Sequence, residues 1–246
     1  MTLLLDLGNT RFKWGWYRGG AFQPGGAATY DDTLDDALAS SLQLQAGERA
    51  FAVSVAAIER RAVLEDYLLS RFGVELEYLA STAEACGVRN GYLSPTRLGT
   101  DRWAALLGAR RVFGSVAICV VDCGSAVTVD AMDAQGCHQG GLIMPGLGLM
   151  RRGLAHGTAG LPMIDDAPVH LFGRDTASAI GSGTLLGLAA AIDGLAAEMR
   201  GSLEGNVHFI LTGGDAPALL PHLRQPFVHR PNLVLEGLMA VEEARA

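Results

Sequence analysis

Apolar and polar positions along the chain repeat with two different periods. Leu3, Leu4 and Leu5 form a continuous apolar run into a polar turn, Asp6-Leu7-Gly8-Asn9-Thr10. Phe12, Trp14 and Trp16 then alternate with Arg11, Lys13 and Gly15, the period-two pattern of a strand with one buried face. That alternation holds Lys13 opposite the core face, where it either reaches a cleft or stands in solvent. Residues 31–45 and 58–72 carry helical spacing, with a strand over Phe51–Val55 between them. Strand and helix patterns taking turns predict an α/β layer fold. The stretch Asn90–Thr100 is a loop rich in Gly, Ser and Pro, and it runs into a helix over Arg102–Phe113 with Thr100 or Asp101 as its natural cap.

A second set begins at Ser115. Ile118, Cys119, Val120 and Val121 lead into the turn Asp122-Cys123-Gly124-Ser125, and strands continue through Thr128–Met132. The pattern then predicts a glycine-rich connection from Gly136 to Gly148 and helices around 175–200. A short strand over His208–Leu211 ends in Thr212-Gly213-Gly214-Asp215, and the last helix spans Asn232–Glu243. No low-complexity linker separates the sets. The expected organisation is two halves, 1–114 and 115–246, packed across a shared central cleft.

The two acidic turns occupy equivalent places, each after an apolar strand. An aspartate ending a buried strand is costly to desolvate unless it meets a cation. Glycine beside it lets the backbone approach a ligand, and the neighbouring hydroxyl or amide side chains donate to phosphate oxygens. One such turn reads equally well as an ordinary β-turn; two in matching contexts point to a two-sided site for a metal nucleotide. Gly213-Gly214-Asp215 suits either close packing against an adenine or ribose or a plain turn. In Gly99-Thr100-Asp101-Arg102 a carboxylate and a guanidinium sit at a helix start. The arginine can fork onto a carboxylate while the aspartate accepts a hydroxyl proton, as a phosphoryl acceptor requires. A helix cap with a local ion pair is the alternative.

Bulk composition narrows the field. With 246 residues, 49% of them apolar, the chain can bury a large core without staples. A net charge of −7 with 19 scattered Lys and Arg residues argues against nucleic-acid binding through phosphates. Arg110-Arg111 and Arg151-Arg152 read as solvated helix ends. Cys86, Cys119, Cys123 and Cys137 include no C-x-x-C pair and read as reduced core residues. The histidines form no ligand-spaced cluster, which leaves zinc without support. No phosphate loop of the G-x-x-x-x-G-K-[ST] type, no G-x-G-x-x-G after a strand and no G-x-S-x-G elbow occurs. The N-terminal apolar stretch is cut by Asp6, and no run approaches membrane-spanning length, so the expectation is a cytoplasmic protein with no membrane partner.

Six motifs resemble, in order, those of the type III pantothenate kinases. They are Asp6-x-Gly8-Asn9-Thr10, Asn90-Gly91-Tyr92, Gly99-Thr100-Asp101-Arg102, Asp122-x-Gly124-Ser125-Ala126-x-Thr128, Gly140-Gly141-x-Ile143-x-Pro145-Gly146 and Thr176-x-x-Ala179-Ile180-x-Ser182-Gly183. The resemblance covers nearly the whole chain. It implies the acetate and sugar kinase, Hsc70 and actin superfamily, with two ribonuclease-H-like (actin-like ATPase) subdomains that account for the duplicated turn. It implies ATP-dependent phosphorylation of pantothenate to 4′-phosphopantothenate, the first step of coenzyme A biosynthesis. The ATP phosphates would lie along Asp6, Leu7, Gly8, Asn9, Thr10, Arg11, Phe12 and Lys13, with Mg²⁺ at Asp6 and a further nucleotide contact at Ser125, where the family usually has threonine. Asp122 would bind a monovalent cation, K⁺ or NH₄⁺. Tyr92, Gly99, Thr100, Asp101, Arg102 and Thr176 would contact pantothenate, with Asp101 as general base. The resemblance also implies a homodimer, and the apolar second half is a reasonable interface. A sugar or another small acid as acceptor, or a non-catalytic transcription accessory factor of the same family, are the competing readings.

Overall fold

A computed structural model describes residues 1–29, 48–165 and 167–245. The expected helix over 31–45 lies outside the described residues. Two compact units emerge, one of Met1–Gly114 with Gly136–His138 and Asn232–Ala246, the other of Ser115–Gln135 with Gln139–Pro231.

In the first unit, β1 (Thr2–Leu7), β2 (Arg11–Arg18), β3 (Ala21–Thr29) and β4 (Arg49–Ser54) are followed by α1 (Ile58–Phe72) and β5 (Leu76–Tyr78). Their sheet runs β3-β2-β1-β4-β5. β1 pairs antiparallel with β2 and parallel with β4. Leu3, Leu4 and Leu5 are fully buried because β1 is the central strand, covered on both faces, which explains its unbroken apolar run. In β2 the alternation holds as far as Trp14, with Phe12 and Trp14 buried and Arg11 exposed; beyond it Gly15 is buried and Trp16 half-buried. α1 ends at Gly73, whose left-handed φ of 65° lets its N–H reach the carbonyls of Leu68 and Leu69. A small hairpin, β6 (Glu84–Ala85) with β7 (Val88–Arg89), precedes α2 (Thr100–Phe113).

The second unit repeats the plan. β8 (Ala117–Cys123), β9 (Ala126–Met132), β10 (His138–Pro145), α3 (Leu147–Gly157), α4 (Thr176–Ser202), β11 (Val207–Thr212), α5 (Ala216–Leu219) and β12 (Phe227–His229) build a sheet ordered β10-β9-β8-β11-β12. Strand for strand this is the order of the first sheet. The expected glycine-rich connection over 136–148 is therefore mostly strand β10, at the edge of the sheet beside β9, and the start of α3; Gly140 takes a φ of 109° that suits glycine. The helices expected around 175–200 are the single helix α4, opened by a reciprocal cap in which Asp175 Oδ1 accepts from Ser178 N at 2.8 Å. At 27 residues α4 has the length and apolar composition of a membrane span, contrary to the expectation from sequence, but 56% of its apolar window is buried. Leu185, Leu188, Ile192 and Ala196 pack on Cys119, Val121, Val127 and Phe209 of the sheet, which makes α4 a core helix.

The last helix, α6 (Leu233–Arg245), belongs to the first unit, although the sequence pattern alone groups all of 115–246 in the second half. It packs on α2 at glycines. A Cβ on Gly108 would overlap the Leu233 carbonyl oxygen, and one on Gly237 would overlap that of Ala104. Polar ties reinforce the contact: Arg111 forks onto Glu243 at 2.7 and 2.8 Å, so it is not a merely solvated helix end. Buried Glu242 accepts from Thr2 Oγ1 at 2.9 Å and from Arg49 at 3.2 Å.

Candidate active site

Within the first unit, three chain segments converge at the ends of β1 and β4. The turn after β1 is closed by Gly8 N donating to Arg11 O at 3.1 Å, which leaves Asn9 and Thr10 exposed at its tip. The β1–β2 register places Lys13 directly opposite Asp6. Leu7 pairs with Ser54 on β4, and Thr100 Oγ1 at the start of α2 donates to Ser54 O at 3.2 Å. The acidic turn and the Gly99–Arg102 segment thus share one end of the sheet.

Asp6 is half-buried, and desolvation raises its carboxyl to about 6; Lys13 opposes the rise and Asp101 adds to it. A carboxyl so placed favours a cation beside it. Asn9, Thr10 and Lys13 supply amide, hydroxyl and ammonium donors around the same turn, a donor set that fits a magnesium nucleotide. Among the described residues no cluster of three or more His, Cys, Asp or Glu forms a metal cage. A nucleotide-borne ion held by one carboxylate needs none.

At the start of α2 the cap residue is Gly99, not Thr100 or Asp101. Asp101 Oδ1 instead accepts from Arg102 N at 2.8 Å. A Cβ at residue 99 would lie only 2.7 Å from that oxygen, so glycine gives the Asp101 carboxylate its room. Arg102 is 6% exposed and donates from Nη1 to Tyr92 Oη at 2.6 Å. Tyr92 rides on a loop fastened by Asn90, whose Oδ1 accepts from Tyr92 N at 3.0 Å. Asn90 Nδ2 donates to Thr82 O and Pro95 O, both at 3.1 Å. The tyrosine ring stacks on buried His138, with centroids 5.9 Å apart and planes 16° from parallel. Neither the Asn90 fastening nor the His138 stack was legible in the sequence. Asn90 lies in a motif that assigns it no role of its own, and His138 carries no spacing signal.

In the second unit the turn after β8 holds the same place but is one residue shorter, with Gly124 N donating to Ala126 O at 3.1 Å. Asp122 is half-buried and Ser125 exposed. Two glycine approaches cradle this turn: a Cβ on Gly146 would overlap Gly124 O, and one on Gly213, at φ 94°, would overlap the Cys123 backbone. Asp215 N donates to Cys123 O at 2.8 Å, bringing the Gly213-Gly214-Asp215 turn against the Asp122 turn. Burial raises the Cys119 thiol to about 12 and pushes Cys123 further in the same direction, so both are inert packing groups. Thr176 opens α4 in the same unit, exposed on a pocket of about 720 Å³ with Met150, Leu154, Arg174, Asp175 and Thr184.

The sequence matches the family model of type III pantothenate kinases over residues 2–198. The chain belongs to that family. The type III pantothenate kinase of Nitrosococcus oceani is 38% identical over 248 residues, spanning 98% of this chain and 93% of that protein. The one from Janthinobacterium is 41% identical over 254 residues, with 98% and 97% covered. Among solved structures, a Campylobacter jejuni protein assigned to a Baf family of transcriptional activators superposes with a TM-score of 0.61 at 20% identity, covering 99% of this chain and 98% of that one. The Acidaminococcus fermentans (R)-2-hydroxyglutaryl-CoA dehydratase component A superposes with a TM-score of 0.52 at 14% identity, covering 100% and 99%. These structural likenesses bear on the fold, which is the two-subdomain α/β fold of actin-like ATPases and sugar kinases. As a type III pantothenate kinase, the chain is an ATP-dependent kinase that converts pantothenate to 4′-phosphopantothenate in coenzyme A biosynthesis.

Proposed function

We propose that the first unit holds both the acceptor and the phosphoryl-transfer groups, with Asp101 as the general base. The observation that carries this reading is the electrostatic coupling of Asp6 and Asp101 at one sheet end, with Lys13 opposite Asp6. Arg102 forks onto the pantothenate carboxylate, and Tyr92 donates its hydroxyl proton to a substrate oxygen. Gly99, Thr100 and Thr176 supply further contacts to pantothenate. Asp101 orients the primary hydroxyl and takes its proton as the oxygen–phosphorus bond forms and the bond to ADP breaks. A carboxylate is a weak base for an alcohol, so most of its effect is positional. Leu7, Gly8, Asn9, Thr10, Arg11 and Phe12 line the nucleotide with Asp6 and Lys13, and Ser125 adds a hydroxyl. Asp6 would hold Mg²⁺ and Asp122 a monovalent cation, whose charges would offset that of the transferring phosphates.

The enzyme works in the cytoplasm as a homodimer, for which exposed Ile143, Leu171 and Phe172 of the second unit offer apolar surface. Retention of Asp6, Asp101 and Asp122 favours catalysis over a purely regulatory role. The test is ADP release by the purified protein with and without pantothenate. Release that ignores pantothenate but follows a sugar or another small acid would overturn the acceptor assignment.

A further inference from the structure

We infer that His138 is a positioning residue for substrate recognition: its ring clamps Tyr92, and through Tyr92 sets the direction of the Arg102 guanidinium. The inference rests on the reading of Arg102 as the carboxylate fork. Half-buried Tyr92 lies in a loop between exposed Gly91 and Leu93. Its backbone is fixed by Asn90. The direction of its ring is fixed by two further contacts. One is the hydroxyl, which accepts from Arg102 Nη1 at 2.6 Å; the other is the ring face, stacked on His138. The Arg102 guanidinium carbon also lies 5.4 Å from the Tyr92 ring centroid, so tyrosine and arginine form one unit.

His138 is itself rigidly held. It is 2% exposed and opens β10 beside a segment knitted to β7. Arg89 N donates to Gly136 O at 2.8 Å, Arg89 bridges Cys137, and Arg89 Nη2 donates to Cys137 Sγ at 2.6 Å. Gly136, at φ 84°, approaches the Gly87 carbonyl so closely that a Cβ would overlap it. A fixed ring against a loop-borne ring restricts rotation about the tyrosine's side-chain bonds. An arginine that keeps one donor on that tyrosine presents the rest of its fork in one orientation, which is what bidentate carboxylate recognition needs.

Two variants separate stacking from simple space-filling. His138→Phe keeps a ring face, whereas His138→Leu fills similar volume without one. Both are compared with wild type for kcat/KM on pantothenate and on pantothenol, the analogue whose carboxylate is replaced by a hydroxymethyl group. The ratio of the two values reports carboxylate recognition. His138→Leu should lower it about 3- to 10-fold, the scale of an aromatic pair, with the ATP KM unchanged, and His138→Phe should stay within about twofold of wild type on the same scale. An unchanged ratio in folded His138→Leu overturns the inference, and so does a folded His138→Phe with a lowered ratio, which decides the matter even where the leucine variant fails to fold. Arg102→Lys, run in parallel, separates the two levels. If it lowers the ratio and His138→Leu does not, only the clamp is wrong; if neither does, the carboxylate is bound elsewhere and both readings fall.

Discussion

Lys13 stands directly opposite Asp6 on the β1–β2 ladder, and the Asp6 carboxyl nonetheless titrates at about 6. Desolvation at the end of a buried strand outweighs the ammonium across the ladder, and Asp101 pushes the same way. A cation beside Asp6 would offset that desolvation, which is the part the proposed magnesium nucleotide plays.

The first prediction follows from the direction of that shift. A carboxyl raised from 3.8 to about 6 holds its proton longer in the folded state than in the unfolded one. It therefore costs stability as pH rises from about 4, with the full cost present above about 6. Asp6→Asn should raise the melting temperature of the nucleotide-free protein at pH 8 by about 2 to 6 °C, with the gain vanishing by about pH 4. Thermal melts across that range check it. The same variant should lose magnesium-dependent ATP binding.

Asp101→Asn should preserve ATP binding and lower turnover by roughly 10²-fold or more, the scale of a general base. Equilibrium nucleotide binding measured beside single-turnover rates separates the two effects. Near-normal turnover would remove Asp101 from its role.

Gly99→Ala addresses the same carboxylate from its neighbour. The added methyl group would lie 2.7 Å from Asp101 Oδ1 and must displace it. The expected result is a fall in kcat of about 10-fold or more, as misplacement of a reacting group commonly gives, with little change in melting temperature. A fully active variant would show that the displaced carboxylate position is not the working one.

For the second unit, the cradle around the Asp122 turn is the target. Gly146→Ala forces a methyl group onto Gly124 O and should cost about 1–3 kcal/mol of stability. It should also raise the ATP KM while sparing the pantothenate KM. Denaturation curves and steady-state kinetics test the two halves of this statement.

Asp122, ending a strand as apolar as β8, should make activity depend on potassium or ammonium, with sodium a poor substitute. Assays in potassium, ammonium, sodium and tetramethylammonium chlorides at matched ionic strength test this. Asp122→Asn should flatten the differences and raise the ATP KM.

Features announced by local chemistry were legible in the sequence. The two acidic turns, the alternation in β2 and the helix after Gly99 follow from glycine, buried-face periodicity and a loop-to-helix transition. The strand β10 was hidden because glycines read as connection when they stand alone, and only pairing with β9 makes them strand. The stack of His138 on Tyr92 joins residues 46 positions apart and leaves no periodic trace. The place of α6 was equally silent. Gly108 and Gly237 look like ordinary helix-weakening residues, yet each admits the backbone of the opposite helix.

That glycine contact also bears on how the chain is completed during synthesis. The first unit's strands leave the ribosome early, but the helix that covers α2 emerges last, after every strand of the second unit. Until then the α2 face that receives Gly237, and the Thr2 and Arg49 groups that meet Glu242, have no α6 to close them. The second unit, continuous apart from three residues, has all its elements synthesised before α6, whereas the first unit must wait for it. A nascent chain stalled before residue 233 would expose an apolar helix face, and would be the species most exposed to chaperones and proteases.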